Sequence, residues 1–367
     1  MHFSTNRDQL SSAISIVQRA VSSRNPMPIM SCVHLETTGN VLNVTATDLE
    51  FGIRCSLQVD TLIDGAAAIP SKYISSLMGK LPVGNIDVKC DISTNTSTFS
   101  YGDSEMALNG FPAEEFPLFP ELPVKPTLRL KQNIFKRMLK RVLFAVSNDE
   151  RRPVFTGVNI TVDEEGTLSM VATDIRKLAV SQEKVDDTNG QIINIIVPGK
   201  TLNEVFKIID AVDDEFEVYL TENKVFFTLD NICIMSRLIV GQFPNYKIVI
   251  PPNYVCELRS KISELLDAAE RASLLIDTRR NVFNIRFQPE QLLLYFYTES
   301  GRIREEISTD FSGDPLDVGF NIRFFIDLLR SMDTEEVIIK ISGHDSPAVF
   351  QPVDDHSYFS ILVPAVA

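Results

Sequence analysis

The residues able to do chemistry are scattered in a way that argues against catalysis. His2, His34, His344 and His356 lie far apart and none has a partner one helical turn away, so neither a zinc site nor a Ser-His-Asp arrangement is expected. Gly-x-Gly-x-x-Gly and the phosphate-loop pattern are missing. Carboxylate pairs such as Asp213-Asp214 and Asp354-Asp355 read as solvated turns, the competing reading being a hydrolase whose residues converge from distant positions. Cys32, Cys55, Cys90, Cys233 and Cys256 are odd in number, form no Cys-x-x-Cys pair and mostly sit in strand-like runs, as free thiols of a reducing cytoplasm do. No catalytic residue, metal or cofactor is therefore expected. Positive charge is what clusters. Lys136, Arg137, Lys140 and Arg141 occur in a stretch, Lys131 to Val146, that contains no acid. The pairs 136/140 and 137/141 are one turn apart and make a cationic helix face opposite an apolar one, suited to a polyanionic backbone. A merely solvated face is the alternative.

That face belongs to an acidic chain. The net charge is −14 and the sequence pI is near 4.8, which excludes a protein that grips nucleic acid over most of its surface but not a local basic one. With 367 residues, 44% of them apolar and 23% charged, the chain is expected to be globular and to hold two or three domains. No apolar run approaches the roughly 20 residues of a membrane helix, and the Met1-His2-Phe3-Ser4 start does not read as a signal peptide, so a cytoplasmic location is expected.

Element order repeats with a period of roughly 125 residues, a domain-sized repeat. The opening helices are expected over Arg7 to Arg19, Gln132 to Val146 and Lys261 to Leu275, with Asn133 and Ser260 as N-caps of the latter two. Strand ends follow at Ala46-Thr47-Asp48-Leu49-Glu50 and Ala172-Thr173-Asp174-Ile175-Arg176, with Tyr297-Thr298-Glu299-Ser300 as a weaker third. Second helices are expected over Tyr73 to Leu81, Thr201 to Ile209 and Phe324 to Met332. Each repeat leaves on proline-containing chain: Phe116-Pro117, Phe243-Pro244-Asn245-Tyr246, Val363-Pro364. The expected class is α+β: three copies of one domain, at 1–125, 126–253 and 254–367, each with two helices covering antiparallel sheets of about eight strands.

These segments resemble the β subunit of bacterial DNA polymerase III, the sliding-clamp family. The carriers are Ala46-Thr47-Asp48-Leu49-Glu50, Val171-Ala172-Thr173-Asp174 with Leu178-Ala179-Val180, Phe243-Pro244-Asn245-Tyr246 and Gly319-Phe320-Asn321, in order along essentially the whole chain. The resemblance implies a non-enzymatic homodimer, closed head to tail into a six-domain ring that encircles duplex DNA without reading sequence and tethers the replicative polymerase. By resemblance Arg24, Arg151 and Arg152 match DNA-contacting positions. The residues themselves add Lys72 and Lys80 in repeat one, and Lys200 and Lys207 beside Lys136, Arg137, Lys140 and Arg141 in repeat two. The cations of repeat three, Arg259, Lys261, Arg271, Arg323 and Arg330, are diluted by Glu264, Asp267 and Glu270.

The resemblance also implies an apolar groove between repeats two and three that receives short motifs of polymerases and clamp loaders. Its matching positions are Phe155, Thr173, Ile175, Arg176, Lys177, Leu178, Pro244, Ile248, Val249, Val282, Asn321, Phe324, Ser346, Ala348, Ile361, Val363, Pro364 and Ala365. Two departures stand out: Ile175-Arg176-Lys177-Leu178 replaces the family's Gly-His-Arg-Leu, and the chain ends Val363-Pro364-Ala365-Val366-Ala367 where larger or basic side chains are usual. Ring closure is expected to bury Met106 and Leu108 against Leu274 and Leu275. Charges around it depart from the better-known pattern, with Asp103 and Glu105 in repeat one facing Arg302 and Arg304 in repeat three, a partly reversed but complementary seam. A clamp-fold paralogue acting as scaffold or regulator without loading is the alternative; a two-repeat clamp conflicts with three visible copies.

Overall fold

Runs of alternating polar and apolar residues become strands and the 3.6-residue runs become helices, in one order that repeats one and three follow in full and repeat two follows with one strand fewer among the described residues. A computed structural model of the chain describes residues 1–22, 27–185, 190–275, 281–299 and 301–365. Repeat one opens with β1 (His2–Asn6), α1 (Arg7–Val17), β2 (Cys32–Thr38), β3 (Val41–Thr47), β4 (Phe51–Gln58), β5 (Asp60–Ile63) and β6 (Gly65–Pro70). It closes with α2 (Ser71–Met78), β7 (Asn85–Asp91), β8 (Thr96–Tyr101) and β9 (Ser104–Asn109). Repeat two has β10 (Leu128–Lys131), α3 (Gln132–Val142), β11 (Gly157–Val162), β12 (Thr167–Thr173), β13 (Lys177–Lys184) and β14 (Ile193–Pro198). It ends with α4 (Gly199–Ile208), β15 (Glu215–Leu220), β16 (Lys224–Leu229) and β17 (Ile232–Arg237). Repeat three has β18 (Cys256–Lys261), α5 (Ile262–Ser273), β19 (Val282–Gln288), β20 (Gln291–Thr298), β21 (Gly301–Ser308) and β22 (Asp310–Gly313). Then come β23 (Leu316–Asn321), α6 (Ile322–Ser331), β24 (Glu336–Ile341), β25 (Ala348–Pro352) and β26 (Tyr358–Leu362).

The chain divides into two compact units, Met1–Gln132 with Lys207–Leu238, and Asn133–Phe206 with Ile239–Ala367. The division cuts repeat two because the long sheets are shared between repeats. In the first unit an eight-stranded sheet runs β10-β15-β16-β17-β4-β3-β2-β6, beside a five-stranded sheet β5-β1-β7-β8-β9. In the second a nine-stranded sheet runs β14-β11-β12-β13-β26-β25-β24-β18-β22, beside a four-stranded sheet β21-β20-β19-β23. Two junctions between repeats follow one rule: the last strand of a repeat pairs antiparallel with the fourth strand of the repeat before it. Thus β17 lies on β4 with Ile234 opposite Ile53, and β26 lies on β13 with Ser360 opposite Ala179.

Helices cover one face of these sheets. α1 buries Leu10, Ala13, Ile14 and Val17, and α5 buries Leu265, Ala268, Ala269 and Ala272 at the same spacing. Burial of each large aliphatic side chain contributes about 1.5–3 kcal/mol, so the apolar stripes hold the helices in place. All five cysteines are buried, and burial pushes the Cys55 thiol up to about 12. No helix among the described residues is long and apolar enough to cross a membrane.

Several helix ends differ from the sequence expectation. The opening helices stop early: α1 ends at Val17 and α3 at Val142, each passing into a short 3-10 turn, and α5 covers Ile262–Ser273. Neither expected N-cap serves. α3 already starts at Gln132, and Ser260 is buried in β18 opposite Val337, because that strand runs into α5 with no loop between them. The second helices begin two residues earlier than expected, directly after Pro70, Pro198 and Asn321. Asn321 is a true cap: its Oδ1 accepts from the backbone N–H of Arg323 (3.0 Å) and Phe324 (3.3 Å).

Candidate nucleic-acid interface and partner groove

α3 shows the expected two faces. Phe135, Met138, Leu139 and Val142 are buried, while Arg137 and Lys140 point to the surface. Its cations, however, are engaged within the second unit. Arg137 pairs with Glu183 on β13, Lys140 pairs with Asp333, and the Lys136 ammonium lies 5.5 Å from the centre of the Phe206 ring. Arg141 corrects the sequence reading: it is 3% exposed and cannot meet a phosphate as it stands. Its Nη2 donates to Asp355 at 2.6 Å, its Nη1 to Ser357 at 3.2 Å, and its guanidinium lies 5.0 Å from the centre of the Tyr358 ring. Burial pushes the Asp355 carboxyl up, but hydrogen bonds from Ser357 and the Arg141 charge outweigh that and hold it below the usual range.

The other cations are more open. Arg151 and Arg152 share one carboxylate, Asp149, whose pKa their hydrogen bonds, Arg151's foremost, help bring down to about 2. Lys72, Lys80 and Lys207 are exposed, and Lys200 is fully so, with Glu150 3.9 Å away. Arg24 lies outside the described residues. Sequence reasoning found the positive residues and missed their partners: Asp149 lies only two and three residues before Arg151 and Arg152, whereas no local spacing connects Asp333 and Asp355 to α3.

The Ala-Thr-Asp motif proves to be a turn built twice. Thr173 Oγ1 donates to the Lys177 carbonyl (2.8 Å) and accepts from the Ile175 N–H (3.1 Å). Asp174 Oδ1 accepts from the N–H groups of Arg176 and Lys177, both at 2.9 Å. Thr47, Asp48, Leu49, Glu50 and Phe51 make the same four bonds. The third residue is left-handed in each, with φ of 77° at Leu49 and 81° at Ile175. The family's glycine at the Ile175 position thus has a backbone reason, and Ile175 carries strain in its place. In repeat three the ladder pairs Tyr297 with Arg302, as Thr47 pairs with Gly52, so the counterpart of Thr47 is Tyr297 and the expected Thr298 is one residue off. Ser300 of that segment lies outside the described residues.

Around the second turn several groove positions meet. Leu178 and Ile361 face each other across the β13–β26 junction and join Val171, Val180 and Val349 in a buried cluster. Phe243, Tyr246 and Ile250 of the linker pack on it. Phe155 meets Phe243 edge-on at 6.5 Å, and the Val363 N–H donates to the Arg176 carbonyl at 2.8 Å. Ile175, Ile248, Val249 and Val363 stay exposed at the rim, as does Pro244. Thr173, Leu178, Ala348 and Ile361 are core. Val282 pairs with Asn321, Ser346 closes a turn on Gly343, and Pro364 leads to Ala365, whose N–H donates to Gly319. A Cβ on Gly319 would come 2.5 Å from the Ala365 carbonyl, which accounts for that glycine. Lys177 is the unexpected member: buried to 7% exposure, it sets its ammonium 4.4 Å from the centre of the Phe324 ring and 3.8 Å from Asp174. Burial lowers its pKa, opposed by Asp174 and Asp327.

Two sheet edges remain. β9 ends the five-stranded sheet and β21 ends the four-stranded sheet, each with one side unpaired among the described residues. On β9, Glu105 is exposed and Met106 is 42% exposed, whereas Leu108 is buried. On β21, Arg302 and Arg304 point outward, Arg304 bonded to Glu306 at 2.7 Å. Leu274 is 82% exposed, and Leu275 lies beside Gly301.

Comparison with known proteins covers the chain from end to end. Residues 1–120 match the N-terminal, 129–245 the central and 247–365 the C-terminal domain of the DNA polymerase III beta subunit. The beta sliding clamp of Halalkalibacterium halodurans is 31% identical over 99% of both chains, and that of Bacillus subtilis 27% over 99% of both. The crystal structure of the Bacillus subtilis DNA polymerase sliding clamp superposes with a TM-score of 0.96 at 26% identity, over 100% of this chain and 99% of that one. The Thermotoga maritima DNA polymerase III beta subunit, at 21% identity, shares the fold with a TM-score of 0.91 over 100% of this chain and 99% of that one. With three matching domains in order and relatives matched along nearly their full length, the chain belongs to the family of bacterial DNA polymerase III beta subunits, the sliding clamps.

Proposed function

We propose that this protein is a DNA sliding clamp, a non-enzymatic processivity factor that encircles duplex DNA in the bacterial cytoplasm and tethers the replicative polymerase. The full-length family match carries the reading. Three domains at 1–125, 126–253 and 254–367 build each protomer, and two protomers close head to tail. Closure would extend the junction rule, since among the described residues β9 is the one last strand without a fourth strand beside it and β21 the one fourth strand without a last strand. DNA contact falls to the open cations Lys72, Lys80, Arg151, Arg152, Lys200 and Lys207, with Arg24, Lys136, Arg137 and Lys140 contributing and Arg141 serving the fold instead. Polymerase and loader motifs dock on the apolar surface rimmed by Ile175, Pro244, Ile248, Val249 and Val363, with Phe155 and Phe324 beside it. Apolar side chains above a buried floor suit a short linear motif.

The test is loader-dependent retention on nicked circular DNA. Loaded protein should stay on circles through gel filtration and run off when a restriction cut opens an end. Equal retention on circles and linear DNA would contradict topological holding. Failure to load at all would favour a clamp-fold scaffold without loading activity.

A further inference from the structure

The two junctions inside the chain share one register, which aligns their faces residue by residue. At the first, His34, Thr45, Arg54 and Cys233 stand in one row across β2, β3, β4 and β17. At the second, Asn159, Val171, Val180 and Phe359 stand in the equivalent row across β11, β12, β13 and β26. Ladder positions fix the equivalence: Ala46 faces Ile53 one step from Thr45, as Ala172 faces Ala179 one step from Val171. Linker aromatics lie on both rows. Phe243 and Tyr246 pack on the cluster that holds Val171 and Val180. Phe116 stacks on the His34 ring at 4.7 Å, and the Phe119 ring centre lies 4.8 Å from the Arg54 guanidinium. The same place in the fold is thus apolar at one junction and charged at the other.

Between the first row and its linker runs a cleft of about 470 Å³. Arg54 is its cation, and among the described residues no carboxylate pairs with it. Burial lowers the His34 pKa against the pull of Glu36, so that ring is neutral at pH 7. Glu36 and Glu114 bring the opposite charge; both line the cleft and both are exposed. β2 and β4 lie two strands apart, roughly 10 Å, too far for Glu36 and Arg54 to neutralise each other. Ile92 and Leu118 also line the cleft, 59% and 95% exposed, so two large apolar side chains there lie open. One cation, two distant acids and apolar surface between them complement a ligand that is itself zwitterionic with an apolar body. We infer that this cleft is a second peptide site, for the carboxyl-terminal end of a partner polypeptide whose last residue is apolar and follows a basic one. The terminal carboxylate accepts from Arg54, the apolar side chain covers Leu118 and Ile92, and the basic side chain reaches Glu36 and Glu114. The ligand differs from that of the proposed groove between repeats two and three because the row beneath it is charged.

The probe is acetyl-Ala-Ala-Lys-Leu with a free carboxylate, titrated into the full-length protein and read by saturation transfer to its leucine methyls. It should bind, and its carboxamide should bind about tenfold more weakly, as should the free acid to Arg54→Gln. No saturation transfer at millimolar probe, equal binding of acid and amide, or full affinity in Arg54→Gln would each overturn the assignment. Glu36→Gln combined with Glu114→Gln changes only exposed side chains, so its effect is not one of misfolding. That variant should abolish the preference for Lys over Glu before the terminal Leu, and an unchanged preference would refute the role of the two acids. A clamp-binding pentapeptide should not compete with the probe; competition would place binding in the groove between repeats two and three instead. Binding of the free dipeptide Lys-Leu but not of the acetylated tetrapeptide would make the occupant a small free peptide and overturn the partner assignment.

Discussion

At the scale of single residues, position decides what a charge or a bulky side chain does. Ile175 holds φ of 81° with a β-branched side chain, a conformation that costs about 1–2 kcal/mol for residues other than glycine. Ile175→Gly should therefore raise stability by roughly 1 kcal/mol in urea unfolding, after glycine's own entropic penalty. Loss of stability would mean that the side chain's apolar contacts outweigh the backbone strain. Arg141 makes the opposite case, because its removal takes the charged partner from Asp355 and leaves Asp333 to Lys140 alone. Arg141→Ala should cost about 3 kcal/mol, the usual result of breaking a buried pair, and leave the salt dependence of DNA binding unchanged. Asp149 adds a pH signature. Its folded pKa, about 2, lies below the usual carboxylate value near 4, so its contribution is full above pH ~4 and disappears as pH falls toward 2. Asp149→Asn should remove that acid dependence and, by releasing Arg151 and Arg152, strengthen DNA contact; an unchanged acid limb would place the titration elsewhere.

At the scale of elements, periodicity located the six α-helices of the described residues and the shared Ala-Thr-Asp located the twofold turn, because both depend on neighbours close in the chain. Helix starts were less legible. Ser260 and Asn133 look like caps only if a loop precedes the helix, and here a strand runs directly into it. The fate of the α3 cations was illegible, since Asp333 and Asp355 reach them from about 190 to 215 residues away, over a distance no spacing rule spans. Thr298 misled because its residue type matched Thr47, while the β20–β21 ladder put Tyr297 in the equivalent place. The expected groove positions show both limits: family resemblance named the apolar residues Ile175, Ile248, Val249 and Val363, which the structure leaves exposed, but gave no sign that Lys177 is buried against Phe324. That contact supports α6 at the edge of the proposed groove. Phe324→Ala should weaken a clamp-binding pentapeptide about tenfold by calorimetry, through loss of an aromatic wall and release of the Lys177 ammonium. Undiminished affinity would move the docking site away from α6.

At the scale of the molecule, an acidic body with local groups of exposed cations bears on how DNA would be held. On the proposed reading, a net charge of −14 repels the duplex at long range, while the exposed Lys200, Lys207, Arg151 and Arg152 would attract it locally. Attraction through about six phosphate contacts falls by roughly a thousandfold between 50 and 200 mM salt, so direct binding to linear DNA should be weak and steep. On the proposed reading a closed ring depends on salt far less, because leaving a circle requires opening a seam in which the expected charge pairs act beside main-chain and apolar contacts. Over the same salt range, dissociation of loaded protein from circular DNA should change by less than about threefold. Lys200→Ala with Lys207→Ala should lower the direct-binding slope by about 0.9 per cation and leave the residence time on circles as it was. A residence time that fell with salt as steeply as direct binding would show that charge, not closure, retains the protein, and the ring would no longer account for processivity.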